Sequence, residues 1–307
     1  MTTLELEKSV TFKNILVATD FSDASKSALQ SAAAITELNE GQLFVVHAVP
    51  PEPRLSVPLD LLPVSADRNL SEAKLNFKKV VSPGFLGHVH HEEILKRGPV
   101  PEVVLDVIQK KKIDLLVLGT HGRTGFKKIV MGSVAEELFR LAPCPVLTAG
   151  PSAVRTQEIR RVLFATDFGP SSVQALPYAI DFANKAGGEL ILLHLVSPFP
   201  VDYVGPLWYP GTDVVEREKV VVKQCMKQLR DLLPSNSGLK CGVTHRVEFH
   251  FASEGIIDVA KACEADLIVM GVKQSGMSVP RVAAHMPWAI AHEVVCRAGC
   301  PVLTVRA

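Results

Sequence analysis

The chain carries near its N-terminus the segment Ile15-Leu16-Val17-Ala18-Thr19-Asp20-Phe21, and this segment returns later as Val162-Leu163-Phe164-Ala165-Thr166-Asp167-Phe168. Each copy is a short apolar run that ends in a polar Thr-Asp pair, which is typical of a buried strand followed by a turn. Self-similarity within a chain defines its structural unit. The segment therefore predicts a duplicated domain that begins with a buried strand.

Further blocks repeat in the same order and at nearly the same spacing. They are His47-Ala48-Val49 with His194-Leu195-Val196, Asp114–Gly119 with Asp266–Gly271, and Cys144–Thr148 with Cys300–Thr304. A length of 307 residues agrees with two domains of ~150 residues each. The turn-rich Gly150-Pro151-Ser152 predicts the junction, so we expect one domain over residues 1–150 and a second over residues 155–307.

Apolar runs and amphipathic segments alternate within each copy. In the first copy, strands are predicted at 14–19, 42–48, 113–118 and 145–149, with a more polar strand at 88–96. Helices are predicted between them at 22–38, 71–81, 100–110 and 134–141. The first of these has a Ser22-Asp23 start signal and places Ala24, Ala28, Ala32 and Ile35 on one face. Nearly continuous apolar strands that alternate with helices predict an α/β fold, Rossmann-like, with a parallel sheet covered by helices on both faces.

The composition excludes several classes of protein. The 33 basic and 32 acidic side chains give a net charge of +1, which lacks the broad positive field of a nucleic-acid-binding or membrane-surface protein. No apolar run approaches the ~18 residues of a membrane span, and the first residues lack the apolar core of a signal peptide. Six cysteines without a CxxC pair predict reduced thiols rather than zinc or disulfides. We therefore expect a cytoplasmic protein.

Two proline-rich segments interrupt the alternation, at 50–67 and at 197–213. Each follows the second strand of its copy. Long connections of this kind are often functional. The sequence leaves open whether they are surface connections, covers over a neighbouring site or contacts with a partner domain.

Glycines cluster after the fourth strand of the first copy, at positions 119, 122, 125 and 132, and Ser133 follows them at the start of a helix. Glycine allows a ligand to approach the backbone closely, and the free N–H groups of a helix start attract anions. In an open parallel sheet, ligands bind at the carboxyl ends of the strands, where Asp20 also lies. The P-loop, the dinucleotide GxGxxG fingerprint and the GxSxG elbow are all absent from the sequence.

These residues also have structural interpretations. Ser133 and Asp20 could each act as a helix cap. The basic group Arg123, Lys127 and Lys128 could contact phosphates or form a solvated surface. His47 and His194 lie inside apolar strands, which favours hydrogen-bonded, half-buried rings over ligands.

The spacing Gly119-x2-Gly122-x9-Gly132-Ser133, followed by Val134, resembles the universal stress proteins that bind nucleotides. The blocks ILVATDFS, VVHAV and CPVLT are also similar to that family. The resemblance covers essentially the whole chain and implies two tandem domains. It implies in each an open five-stranded parallel sheet of strand order 3-2-1-4-5.

The resemblance also implies that ATP binds in the crevice of the first domain. It places Asp20 at the adenosine end, the backbone of Ala48 against adenine, and Gly119 near the ribose. It places the phosphates against the remaining motif residues, Gly122, Gly132, Ser133 and Val134. A divalent metal, Mg or Mn, is compatible with the family, although no carboxylate cluster in the sequence identifies its ligands.

The second copy departs from the motif. Aligned on Cys144 and Cys300, it has Trp288, Ala289 and Gln274 where the first copy has Gly132, Ser133 and Gly122. An indole fills the space that a glycine leaves for a phosphate, and Pro287 removes a backbone donor. We therefore expect one competent site, in the first domain.

Three functions remain open on the sequence. The first is an ATP-binding stress or signalling protein whose surface responds to the nucleotide. The second is a slow ATP hydrolase with the same site, although no water-activating base is visible. The third is a purely structural pseudo-dimer, against which the glycine spacing argues. Family members pair through their last strand, so we expect an intramolecular pseudo-dimer of the two domains. Homodimerisation of the whole chain stays open.

Overall fold

A computed structural model describes residues 10–51, 65–81, 86, 89–120, 131–150, 159–198, 214–233, 237–273 and 285–306. The chain divides into two compact units, one within Thr11–Gln157 and one that combines Glu158–Ala307 with Val10. Each unit alternates strands with helices, and each has a fully parallel sheet. The α/β fold class predicted from the sequence is therefore confirmed.

The described residues of the first unit form five strands and four helices of more than one turn. They are β1 (Asn14–Ala18), α1 (Asp23–Asn39), β2 (Gln42–Val49), α2 (Ser65–Val80), β3 (His91–Arg97), α3 (Val100–Lys111), β4 (Leu115–Gly119), α4 (Ser133–Leu141) and β5 (Val146–Ala149). Parallel pairing gives the order β3-β2-β1-β4-β5. This is the order 3-2-1-4-5 that the resemblance implies.

The second unit repeats the arrangement. Its described elements are β6 (Arg161–Ala165), α5 (Pro170–Ala186), β7 (Glu189–Val196), α6 (Val214–Asp231), β8 (Gly242–Phe249), α7 (Ala252–Ala262), β9 (Leu267–Val272), α8 (His285–Arg297) and β10 (Val302–Arg306). The order is β8-β7-β6-β9-β10, again with parallel neighbours throughout. The duplicated sequence thus folds into duplicated sheets.

The core of each unit follows from the apolar strands. The central β1 and β4 have interiors with almost no exposure, because helices cover both faces of the sheet. The helix α1 buries the predicted stripe of Ala24, Ala28, Ala32 and Ile35. Its N-cap is Ser22, whose side chain accepts the N–H of Ser25, as the start signal in the sequence predicts.

Two elements differ from their predicted bounds by three residues or more. The helix α2 begins at Ser65, six residues before the predicted start at 71 and inside the segment predicted as a proline-rich connection. The strand β3 begins at His91 rather than at 88. Most of the two proline-rich segments, residues 52–64 and 199–213, lies outside the described residues.

The six cysteines are free thiols in this structure. Burial raises the pKa of the Cys300 thiol to about 12, so this group stays protonated and unreactive near neutral pH. Among the described residues, no helix combines the length and the apolar character that crossing a bilayer requires.

Candidate functional site

The turn between β1 and α1 forms one wall of the site. An Asp20 carboxylate oxygen accepts the N–H of Ser22 at 3.0 Å, and the Thr19 hydroxyl accepts the N–H of Phe21 at 3.1 Å. These bonds hold Phe21 at a φ of 68°, a left-handed conformation that costs free energy in a bulky residue. Asp20 therefore braces the turn, and the helix cap is Ser22 instead.

The second unit contains the same turn. The Asp167 carboxylate accepts the N–H of Gly169 at 2.8 Å, the Thr166 hydroxyl accepts the N–H of Phe168 at 2.9 Å, and Phe168 has a φ of 61°. Because the turn persists where the glycine motif is lost, the Thr-Asp-Phe sequence has a structural role in both copies. Any ligand contact of Asp20 is additional to that role.

His47 is tied to the same turn. Its Nδ1 lies 2.7 Å from the carbonyl oxygen of Thr19, and its ring lies against Phe21 with 4.3 Å between the centroids. A carbonyl only accepts, so Nδ1 donates this hydrogen bond. His194 repeats this arrangement on Thr166 at 2.9 Å. Both rings are thus half-buried and hydrogen-bonded, as predicted.

The helix α4 forms the opposite wall. It begins at Ser133, and its N-cap is Gly132, which offers no side-chain cap. Ser133 is therefore not the N-cap, because it already belongs to the first turn. Ser133 and Val134 are exposed. The first N–H groups of a helix have no partner within the helix, so this start is available to an anion.

A cavity of about 230 Å³ lies between these walls, at the carboxyl ends of β1, β2 and β4. It brings together six of the seven predicted site residues, namely Asp20, Ala48, Gly119, Gly132, Ser133 and Val134. The seventh, Gly122, lies outside the described residues, as do His121, Arg123, Lys127 and Lys128. The cavity thus occupies the strand-end crevice where ligands bind in open α/β sheets.

The cavity also contains residues that the sequence did not single out as a site. Val100 and Val104 of α3 and Leu138 of α4 supply apolar walls, and Thr19 and Ser25 supply hydroxyls that lie 3.1 Å apart. An apolar first turn in α3 was visible in the sequence. Its position beside α4 was not, because that contact joins segments distant in the chain.

The backbone of Ala48 faces the cavity. The carbonyl of Val46 accepts the N–H of Thr19 at 2.9 Å, so alternate residues of β2 direct their backbone groups toward β1. Ala48 is two residues after Val46, so its backbone groups have the same direction. The strand β1 ends at Ala18 and therefore does not extend far enough to pair with Ala48. The N–H and C=O of Ala48 are therefore directed past the end of β1.

Gly119 has a packing role of its own. A Cβ at this position would lie 2.8 Å from the backbone carbon and oxygen of Ala24 in α1. At Gly271, the corresponding residue of the second unit, a Cβ would overlap the backbone of Ser171. Glycine at the end of the fourth strand therefore allows the first helix to approach the sheet, which explains why both copies keep it.

The second unit differs at the start of its last helix. The helix α8 begins at His285, whereas Ser133, the first residue of α4, aligns with Ala289. The helix therefore continues for one more turn through the position of the predicted phosphate site. The backbone N–H groups that are free at the start of α4 are used within α8.

No group of three or more histidine, cysteine or acidic side chains lies close enough to hold a metal within the part of the chain that the structure describes. The described cavity residues contain one carboxylate, that of Asp20.

Comparison with known proteins agrees with the duplicated fold. The sequence model of the universal stress protein family matches residues 11–149 and again residues 158–306. A universal stress protein of Methanocaldococcus jannaschii is 34% identical over 140 residues, which cover 44% of this chain and 81% of that protein. Another, from Mycolicibacterium smegmatis, is 23% identical over 311 residues, or 97% of this chain and 99% of that protein.

Solved structures show the same fold. A universal stress protein from Archaeoglobus fulgidus matches with a TM-score of 0.63 at 20% identity, covering 95% of this chain and 98% of that one. The family match extends over both units, and each unit has the strand order and the Thr-Asp-Phe turn described above. This chain therefore belongs to the universal stress protein family and is a tandem member with two copies of the family's domain.

Proposed function

We propose that the first unit binds ATP in the cavity between β1, β2, β4 and α4, and that the chain acts as a nucleotide-responsive stress or signalling protein. One observation carries the proposal. Six of the predicted site residues line a single cavity, and this cavity lies next to a helix start that has no side-chain cap. The cavity residues offer hydrogen-bonding and apolar groups for the adenosine and backbone N–H donors for the phosphates.

The adenosine end lies on the β1 and β2 side. The backbone of Ala48 offers one donor and one acceptor, which is the pattern that an adenine edge pairs with. Val100 and Val104 provide an apolar surface for the base. Asp20 has a carboxylate, which accepts hydrogen bonds as a ribose hydroxyl requires.

The phosphate end lies at α4. The backbone N–H groups of Ser133 and Val134 and the Ser133 hydroxyl are donors at the positive end of the helix dipole. Gly132 lacks a side chain that would stand between these donors and a phosphate. Covering the exposed start of α4 with a charged ligand changes the surface that a partner protein meets, which is the basis of the proposed response.

One nucleotide per chain is the expected stoichiometry. The second unit keeps its turn and its histidine but has a helix where the phosphates would lie. Calorimetric titration of the full chain with ATP, with and without Mg, should therefore saturate at one site. Native mass spectrometry of the purified protein checks the count directly.

A titration that saturates at two equivalent sites would contradict the asymmetry of the two units. No binding of ATP, ADP or AMP at any ratio would contradict the proposed function itself.

A further inference from the structure

The strand position that holds Ala48 in the first unit holds Leu195 in the second. The two residues align through the repeated blocks that begin at His47 and His194. Because both histidine side chains bond to the turn on one face of their sheet, the side chains of Ala48 and Leu195 lie on the opposite face. In the first unit, that face borders the cavity, and Ala48 lines it.

Leu195 packs against the helix α7. A Cβ at Gly255 would lie 2.8 Å from one methyl carbon of Leu195 and 3.0 Å from the other. Both methyl groups therefore lie directly against the backbone of α7, and the side chain occupies the space between β7 and this helix. The corresponding space in the first unit, between β2 and α3, is part of the cavity that Ala48 and Val104 line.

The residues around this space differ in size between the two units. The first unit has Val103 on its helix where the second has Gly255. Val103 is buried over Gly98, since a Cβ at Gly98 would lie 3.0 Å from a methyl carbon of Val103. The second unit has His250 at the position of Gly98. The second unit thus carries on its strand the apolar bulk that the first unit carries on its helix.

Other parts of the base end are retained in the second unit. Val100 and Val104, which form the apolar wall of the cavity, align with Ala252 and Ile256. The turn that Asp167 holds is also the same as in the first unit. A leucine in place of an alanine on the strand is therefore the change that fills the crevice.

We propose that Leu195 closes the base end of the second crevice, and that side-chain size at this strand position determines which unit accepts a purine. The inference rests on the function proposed above, and it is separate from the extra helical turn at the phosphate end. A flat base needs the space between strand and helix, and in the second unit the leucine methyl groups already fill it.

Copying the closed arrangement into the first unit tests this assignment. The double variant Ala48→Leu/Val103→Gly places leucine on the strand and glycine on the helix, as in the second unit. Its ATP affinity should fall about 30-fold or more, because the base loses its apolar contacts. Val103→Gly alone is the matched control, since Val103 is not among the described residues that line the cavity, and it should bind ATP as the wild type does.

The reverse change tests the second unit independently of the first. Leu195→Ala removes the methyl groups that lie against Gly255, so the full chain should bind one more adenosine than the wild type does. Adenosine is the probe because it has no phosphates, which the second unit lacks the means to hold. Equilibrium dialysis over a concentration series gives the count.

Calorimetry measures the ATP affinities, and circular dichroism with thermal melting checks that each variant is folded. Equal ATP affinity in the double variant and in Val103→Gly would overturn the inference, and so would an unchanged adenosine count in Leu195→Ala. A wild type that binds no ATP would instead contradict the proposed function, and the adenosine count would still decide whether Leu195 closes the second crevice.

Discussion

Replacing Gly132 with tryptophan is expected to weaken ATP binding about 100-fold, because two charge-assisted backbone hydrogen bonds to phosphate are lost. The indole would stand at the start of α4, where the cavity meets the Ser133 and Val134 N–H groups. The fold should survive the change. Gly132 has a φ of −62° and a ψ of 145°, which any residue adopts, and its N–H still bonds to the Thr120 carbonyl at 3.0 Å.

Leu141→Trp provides the matched control. It adds the same indole to the same helix, at the far end, where the side chain is 52% exposed. Calorimetry should give wild-type ATP affinity for Leu141→Trp and a large loss for Gly132→Trp. Unchanged affinity in Gly132→Trp would show that the phosphates lie elsewhere.

Replacing Gly119 with alanine is expected to destabilise the first unit by about 3 kcal/mol, at the upper end of the usual cost of overpacking. The added carbon would lie 2.8 Å from backbone atoms of Ala24, and a backbone cannot turn aside as a flexible side chain can. Gly271→Ala should destabilise the second unit in the same way. Urea unfolding followed by circular dichroism measures the loss of stability.

Gly150→Ala is the control for the packing effect, because its Cβ would meet only the Thr120 hydroxyl oxygen, at an ordinary 3.6 Å. Its unfolding should match that of the wild type. If Gly119→Ala were equally stable but failed to bind ATP, the glycine would serve the ligand rather than the contact between α1 and β4.

The sequence predicted the central strands and the first helix well, because these elements are buried in a regular pattern. The runs at β1 and β4 are almost wholly apolar, and Ser22 caps α1. The start of α2 escaped prediction, because Ser65–Asn69 has no apolar periodicity. The strand β3 reads as polar, because an edge strand keeps exposed charges that a central strand cannot.

The sequence predicted which residues lie at the site, but it did not predict what each of them contacts in the fold. The spacing of Gly119, Gly132 and Ser133 indicated which segments would meet, and the structure brings them to one cavity. The spacing could not show that Gly119 packs against α1 or that the Asp20 carboxylate holds the turn after β1. Those roles arise from contacts between segments that are distant in sequence or from local backbone geometry.

The extra turn at the start of α8 limits how the second unit could be engineered. Replacing Trp288 with glycine and Ala289 with serine would restore the Gly-Ser pair of the motif. The backbone N–H groups that align with the start of α4 would still be hydrogen-bonded within α8. A designer would first need a helix stop that delays the start of α8 until position 289. Binding capacity in this duplicated chain is thus encoded by where a helix begins, and side-chain identity is a second requirement.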